Sequence, residues 1–394
     1  MDLPLVLAAV ERGDDIAALE LLSDATADEL AGDDAVTVLA AASRAGRHEV
    51  VNWLVVWDVD VTRPWASGVD PVTWAAESGM YLVLRALLSR SRDPLSSDSP
   101  HRRALRAAQD AIATGVGPGI DPPPAHRAII TDLEAELGIH RSPDELMARA
   151  LVHADPDHDD WFASVFHLGS RTDRATFDWA LEAAQDAHCP DRRRFGLDTM
   201  NFLAIGFSLD IDQDDDAELP FRREAEEFLR PLLESEQDPR SLAIVIASFT
   251  SYCSDDAIAA ILVHAEHSDP RVRACVSTIL HLNTDRYQEA LAALMRLAED
   301  PIPVTRAKAL HRLAMSDVDT PALSAVFAAH LADPYFDARI EAAAGLALRD
   351  DERGRAVLDD IRSGIRNSRS QGWGRLSDID HMLRVRAGAA GRGS

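Results

Sequence analysis

Small and aliphatic residues recur along the N-terminal third of the chain at one fixed interval. Gly13, Gly46 and Gly79 lie 33 residues apart, and Ala9, Ala42 and Ala75 keep the same phase. Leu21, Leu54 and Leu87 do so too, followed by Leu22, Val55 and Leu88. Four registers in phase predict a repeated helix–turn–helix unit. The small residues let a first helix pack closely on its neighbour. The glycine supplies a left-handed or tight turn, and the paired aliphatics bury a second helix against the first. A fourth unit would place its glycine at 112, where Ile112 stands, so the helix around Leu105 to Ala113 reads as a degenerate capping unit.

The pattern breaks at Gly115-Val116-Gly117-Pro118-Gly119-Ile120-Asp121-Pro122-Pro123-Pro124, which can be neither helix nor central strand. One helix is predicted from Ala125 to Leu137. A new start follows at Ser142-Pro143-Asp144-Glu145, a capping box in form with proline at the first helical position. Beyond it a second period of 33 aligns Arg240, Arg273, Arg306 and Arg339. Ala243, Val276, Ala309 and Ala342 share that phase, as do Ala247, Leu280, Leu313 and Leu346; Ile261, Leu294 and Phe327 continue it on the next helix. Asp-Pro recurs at Asp238-Pro239, Asp269-Pro270, Asp300-Pro301 and Asp333-Pro334. Each aspartate is expected to cap a first helix whose φ the proline fixes. Weaker copies start near Asp155-Pro156 and Cys189-Pro190. The last stretch, Arg366 to Ser394, sets six arginines against Asp378 and Asp380, with one helix predicted from Leu376 to Arg386.

The segment Thr37-Val38-Leu39-Ala40-Ala41-Ala42-Ser43-Arg44-Ala45-Gly46-Arg47-His48-Glu49-Val50-Val51 resembles the ankyrin repeat, with its Thr-Pro-Leu-His, Ala-Ala, Gly-His and Glu-Val-Val elements. Gly68-Val69-Asp70-Pro71-Val72-Thr73-Trp74-Ala75-Ala76-Glu77-Ser78-Gly79 resembles it again. Val38 stands where the family has proline, and Ala40 and Thr73 where it has histidine, so the family's hydrogen-bond network is weakened. The strings Asp300-Pro301 to Arg306 to Ala309-Leu310, and Asp333-Pro334 to Arg339 to Ala342-Ala343 to Gly345-Leu346, resemble HEAT repeats of the short bacterial lyase-like variety. The resemblances imply an all-α fold, an α-solenoid of helical hairpins. Ankyrin-like repeats would fill 1–115, a Pro/Gly-rich linker and helix 116–141, HEAT-like repeats 142–365, and a basic tail with a capping helix 366–394. Such arrays offer an extended concave surface suited to large partners rather than a closed pocket.

Composition narrows the function. The 394 residues are 46 % hydrophobic and 27 % charged, the balance of a folded soluble chain rather than a disordered or collagenous one. No apolar run approaches the ~18 residues that a membrane helix needs. Net charge is −26, and Lys308 is the sole lysine beside 39 arginines, a skew that looks like the codon bias of a GC-rich bacterial genome. An acidic chain repels phosphate backbones, which argues against general nucleic-acid binding. Residues 141–365 alone carry −19, unlike the basic groove of the HEAT-like DNA glycosylases. Cys189, Cys253 and Cys275 are too few and too scattered for a disulfide framework, and the N-terminus lacks the basic start of a signal peptide, so a cytoplasmic location is expected.

Candidate chemistry is sparse. The repeated arginines fit an internal ladder in which each pairs with an aspartate of its own or an adjacent turn, because a guanidinium fork suits a partly buried carboxylate. The loop Asp210-Ile211-Asp212-Gln213-Asp214-Asp215-Asp216 alternates carboxylates as a calcium loop does. However, Asp215 holds the place of the obligatory glycine and Phe221 that of the bidentate glutamate. A solvated lure for a cationic partner is the better reading. Asp155, Asp157, His158, Asp159 and Asp160 form a smaller cluster explained by turn and cap chemistry. The scaffold is similar to that of deoxyhypusine hydroxylase, but the paired His-Glu sets which that family needs are missing. His48-Glu49 is the only such pair, so no metal and no cofactor is expected. No Gly-x-Ser-x-Gly or phosphate-loop motif occurs, and no catalytic residue is assigned. Trp57, Arg63 and Trp65 fall where the ankyrin family projects its hairpin, and Trp74 on a groove-facing helix position. Together they would make the aromatic-plus-arginine patch that dominates interfaces, with Trp65 and Trp74 expected to be exposed. The expectation is a non-catalytic interaction or scaffold protein, an immunity or inhibitor protein in its concrete form. It docks a basic protein partner through Trp57, Arg63, Trp65, Trp74, Asp210, Asp212, Asp214, Asp215 and Asp216. The alternative is a HEAT-repeat enzyme, metal-dependent or lyase-like, with its site in the groove.

Overall fold

The computed structural model describes residues 1–65, 68–91, 94–115, 124–210, 219–280, 287–364 and 373–390. Among them are twenty-two α-helices, one 3-10 turn and no strand, and each helix packs chiefly on its near neighbours in sequence, as in an all-α solenoid. No helix of the described residues is long and apolar enough to cross a membrane. The chain divides into two compact units, Met1–Thr199 and Met200–Ser394, the boundary falling within the helix Pro190–Asp210.

In the N-terminal unit the expected turns are present. Gly13, Gly46 and Gly79 adopt φ of 74°, 69° and 66°, a left-handed conformation that only glycine takes without strain. The amide after each glycine then bonds the carbonyl five residues back. Asp14 N donates to Ala9 O at 3.0 Å, Arg47 N to Ala42 O at 2.8 Å and Met80 N to Ala75 O at 2.9 Å. This is the six-to-one closure of a glycine C-cap. Ala9, Ala42 and Ala75 are fully buried because first helices stack directly on first helices, Leu3–Arg12 on Asp33–Arg44 and that on Pro71–Glu77. Leu54 and Leu87 are buried where His48–Val56 meets Tyr81–Leu88.

The N-terminal unit does not stop at the Pro/Gly-rich break. One apolar core runs from Val6 to Ala163, because His126–Glu136 packs against Pro100–Thr114 on one side and Asp159–Gly169 on the other. The Ser142–Glu145 capping box forms as expected and starts the helix Pro143–Ala150.

In the C-terminal unit the first helices stack in series: Pro239–Ile261, Pro270–Ile279, Pro303–Ala314 and Phe336–Ala347. Val276, Ala309 and Ala342 are buried in phase, and so are Leu280, Leu313 and Leu346. Ala243 and Ala247, on the first and longest of these helices, are only half-buried.

The cap prediction holds for half of the Asp-Pro pairs. Asp238 and Asp269 accept amides of the first turn, from Ser241 and Arg271, and their helices begin at the proline. At Asp300 and Asp333 the helices begin only at Pro303 and Phe336. There the carboxylate accepts the amide two residues on, from Ile302 or Tyr335, and turns its remaining capacity to an arginine of the preceding repeat. The tail helix, Trp373–Ala390, buries Leu376 and Ile379 against Ile340, Ala344 and Leu358 of the same unit.

Candidate functional site

Of the four residues of the expected aromatic patch, Trp65 and Trp74 pack together. Trp57 is 52 % exposed at the end of His48–Val56, its ring 5.8 Å from that of Trp53. Trp65 corrects the expectation of exposure: it is only 4 % exposed. The Trp65 amide donates to Val69 O at 3.1 Å. The half-buried Trp74 covers its ring at 5.1 Å, and the Arg44 guanidinium lies 5.0 Å from its centroid. Arg44, not Arg63, is thus the arginine on the aromatics, while Arg63 pairs with Asp33. Asp210 ends a helix with its side chain outside the described residues, and Asp212, Asp214, Asp215 and Asp216 lie outside them altogether.

Two adjoining clefts mark the N-terminal unit instead. The first, of about 380 Å³, is lined by Val55, Asp58, Val59, Asp60, Leu87, Arg90 and Arg103 among others. The second, of about 390 Å³, lies over Leu84, Ile129 and Leu133 and is bounded by Tyr81, Arg85, His101, Asp132 and Glu136. Leu88 and Ser91 belong to both.

Three helices converge on Asp132 at the second cleft. Tyr81, at the start of Tyr81–Leu88, donates its hydroxyl to Asp132 Oδ2 at 2.8 Å. His167, in the last turn of Asp159–Gly169, places Nε2 2.7 Å from Oδ1. Arg85 Nε stands 3.7 Å from Oδ2. Burial, and then the Asp132 charge, push the Tyr81 phenol far above its ordinary range, so it stays a donor. At the other end of the cleft His101 Nε2 lies 3.1 Å from Glu136 Oε2. Burial lowers the His101 imidazole, and burial followed by the Asp132 charge raises the Glu136 carboxyl.

This arrangement holds a carboxylate in place with both oxygens engaged and orients an imidazole against it. Ser89, on the same wall, directs its hydroxyl to Ala86 O at 2.8 Å. The cleft therefore combines an apolar floor with two carboxylates, an arginine and a histidine at its sides. Sequence reasoning missed these residues. Tyr81, Asp132 and His167 are 51 and 35 residues apart, in step with neither repeat, and no local motif joins them.

Two of the four repeated arginines, Arg273 and Arg306, form the expected rungs, while Arg339 donates to Asp333 O at 2.7 Å and lies over the Phe336 ring. Arg273 forks onto Asp300 (2.6 and 3.1 Å) and Arg306 onto Asp333 (3.0 and 3.0 Å), each across 27 residues. The third nitrogen of each fork caps its own turn, Arg273 Nη1 on His267 O at 2.9 Å and Arg306 Nη1 on Asp300 O at 2.9 Å. The partner carboxylate raises the basicity of each arginine, and against burial the Arg273 guanidinium and the Ile302 amide hold the Asp300 carboxyl below its ordinary range. These arginines tie repeat to repeat. No protein-family model matches the chain, and no curated protein sequence matches it.

Proposed function

We propose that this protein is a non-catalytic binding protein, an ankyrin-like array followed by a HEAT-like array, that docks a basic protein partner. The observation that carries this reading is the pair of adjoining clefts on the N-terminal unit, with Leu88 between them and Asp58, Asp60, Asp132 and Glu136 at their sides. An arginine or lysine of a partner would lay its methylenes on the leucines and its charge beside Glu136, whose side chain is half exposed. Trp57 stands exposed on the same unit as an aromatic anchor. The net charge of −26 would steer such a partner and reject nucleic acid. Masking a cationic toxin or nuclease, as an immunity or inhibitor protein does, is the concrete form of the proposal.

Affinity capture at low ionic strength, followed by titration of the captured protein, tests it. A basic partner is expected whose affinity falls as salt rises and drops at least tenfold with Glu136→Gln and Leu88→Ala combined. An acidic partner, or one indifferent to that variant and to Trp57→Ala, overturns the reading. A second reading, an enzyme on the same scaffold, is favoured by the Tyr81–Asp132–His167 hydrogen-bond chain. It requires a turnover that His167→Ala abolishes while the fold is kept.

A further inference from the structure

The loop between the helices Pro143–Ala150 and Asp159–Gly169 brings two imidazoles beside a carboxylate in the first turn of the second helix. Asp160 is 1 % exposed. Its Oδ1 accepts the Ala128 amide at 2.7 Å near the start of the helix His126–Glu136. Its Oδ2 is buried and has no hydrogen-bond partner. His153 Nε2 lies 3.6 Å from that oxygen and His158 Nδ1 3.8 Å, and the two rings stack with centroids 4.1 Å apart. One ligand atom from each of the three residues falls within 4.8 Å of the others.

A buried carboxylate oxygen without a partner is costly, and both imidazole nitrogens stand beyond hydrogen-bond reach of it. The spacing suits something placed between them. In a tetrahedral zinc site, bonds of about 2.0–2.1 Å hold ligand atoms about 3.3 Å apart, a few tenths of an ångström closer than here. We propose that His153, His158 and Asp160 form a binding site for a divalent transition-metal ion of the zinc type, with three protein ligands and at least one position left to solvent. Two imidazoles and one carboxylate favour Zn²⁺, Co²⁺ or Ni²⁺ over Ca²⁺ and Mg²⁺, which take oxygen ligands. The Ala128 amide fixes the Asp160 carboxylate from behind, as an outer-shell partner does in known metal sites. Two features oppose uptake. His158 Nδ1 accepts the Asp160 amide at 3.1 Å, a contact the ion would displace, and the Arg127 charge acts on both His153 and Asp160. The Asp155 charge acts on His153 in the opposite sense. The site departs from the sequence expectation, which gave these histidines no metal, and it stands independently of the docking proposal.

The full chain, stripped with a chelator, is titrated with Zn²⁺ against a chromophoric competitor at pH 7.5. One equivalent is expected to bind, with a rise in melting temperature, and a hundredfold excess of Ca²⁺ should not displace it. His153→Ala should weaken binding at least tenfold. That side chain is a quarter exposed, so the melting temperature of the stripped variant should match the parent. Asp160→Asn should weaken binding further, but it disturbs a helix start, so His153→Ala carries the test. No saturable binding to the parent, or equal affinity and stoichiometry in His153→Ala, overturns the site.

Discussion

Replacing Arg306 by alanine removes the fork that joins two consecutive repeats, and the structure sets the size of the effect. The Arg306 and Asp333 side chains are 14 % and 4 % exposed, so the pair is largely screened from water. After Arg306→Ala the Asp333 carboxylate keeps only the Tyr335 amide at 2.9 Å and His330 Nδ1 at 3.1 Å, while Asp300 O loses its guanidinium donor. Stranding one member of a buried ion pair costs about 3–5 kcal/mol, and the surviving His330 contact puts this case near the lower end. The titration of Asp333 reports on all of its partners together. Burial alone would raise Asp333, but the Arg306 fork, the Tyr335 amide and His330 outweigh it and hold the carboxyl at about 2, from an ordinary 3.8. That difference corresponds to about 2.5 kcal/mol of stability present above the unfolded pKa and lost as pH falls through the folded one. The parent should therefore lose its advantage over Arg306→Ala between about pH 4 and pH 2. Denaturant unfolding of the parent, Arg306→Ala, Asp333→Ala and the double variant gives the coupling energy, expected at about 1–3 kcal/mol. Hydrogen exchange should localise the loss to Pro303–Ala314 and Phe336–Ala347, since repeats lean mainly on their neighbours. A cost under ~1 kcal/mol with additive single variants would show the fork to be an ordinary surface pair, and the reasoning would fail.

Gly345→Ala should destabilise by about 1–3 kcal/mol in thermal or chemical unfolding, because its Cβ would sit 2.4 Å from the ring of the fully buried Phe327. A neutral result would mean that the ring moves aside freely. Trp65→Ala should cost about 3–5 kcal/mol and Trp57→Ala under ~1 kcal/mol in the same assay, following 4 % against 52 % exposure. Equal costs would contradict the burial of Trp65. Among the thiols only Cys189 is exposed, while burial pushes the Cys275 thiol up to about 12 and Cys253 is buried. A disulfide reagent at pH 8 should therefore titrate one thiol rapidly in the native protein and all three in denaturant.

What the sequence made legible is what local geometry forces at a fixed spacing. Gly13, Gly46 and Gly79 had to recur because the turn needs a left-handed residue, and Ala9, Ala42 and Ala75 because first helices touch there. The arginine ladder was legible for the same reason, since its partners recur at a constant 27 residues. Tertiary competition was not legible. Asp300 and Asp333 carry the same dipeptide as Asp238 and Asp269, yet their carboxylates face Arg273 and Arg306, and their helices start later. Trp65 failed for a related reason. Its place in an inter-repeat hairpin suggested exposure, whereas Trp74 and Arg44, from two different helices, close over it. The clefts and the His153–His158–Asp160 cluster depend on which helix faces come together, and the spacing within a single sequence does not encode this where the partners do not recur.

The ladder also bears on the charge that the protein presents to solvent. Each internal fork withdraws one cation and one anion from solvent, which leaves the excess of −26 unchanged while lowering the number of charges that carry it. Arg349 is likewise turned inward, onto the carbonyls of Val318, Leu313 and Ser316. The ratio of acid to base presented outward is therefore steeper than the 66 to 40 of the whole chain. With a screening length of about 8 Å at physiological salt, such a field acts mainly on a partner already close. On the docking proposal, the association rate with a basic partner should accordingly fall steeply between low and physiological ionic strength, while the dissociation rate, assigned by that proposal to the leucine floor and Trp57, should change little. A salt effect found mainly in dissociation would instead place the binding energy in solvent-screened ion pairs, and the apolar floor of the clefts would then have no part in it.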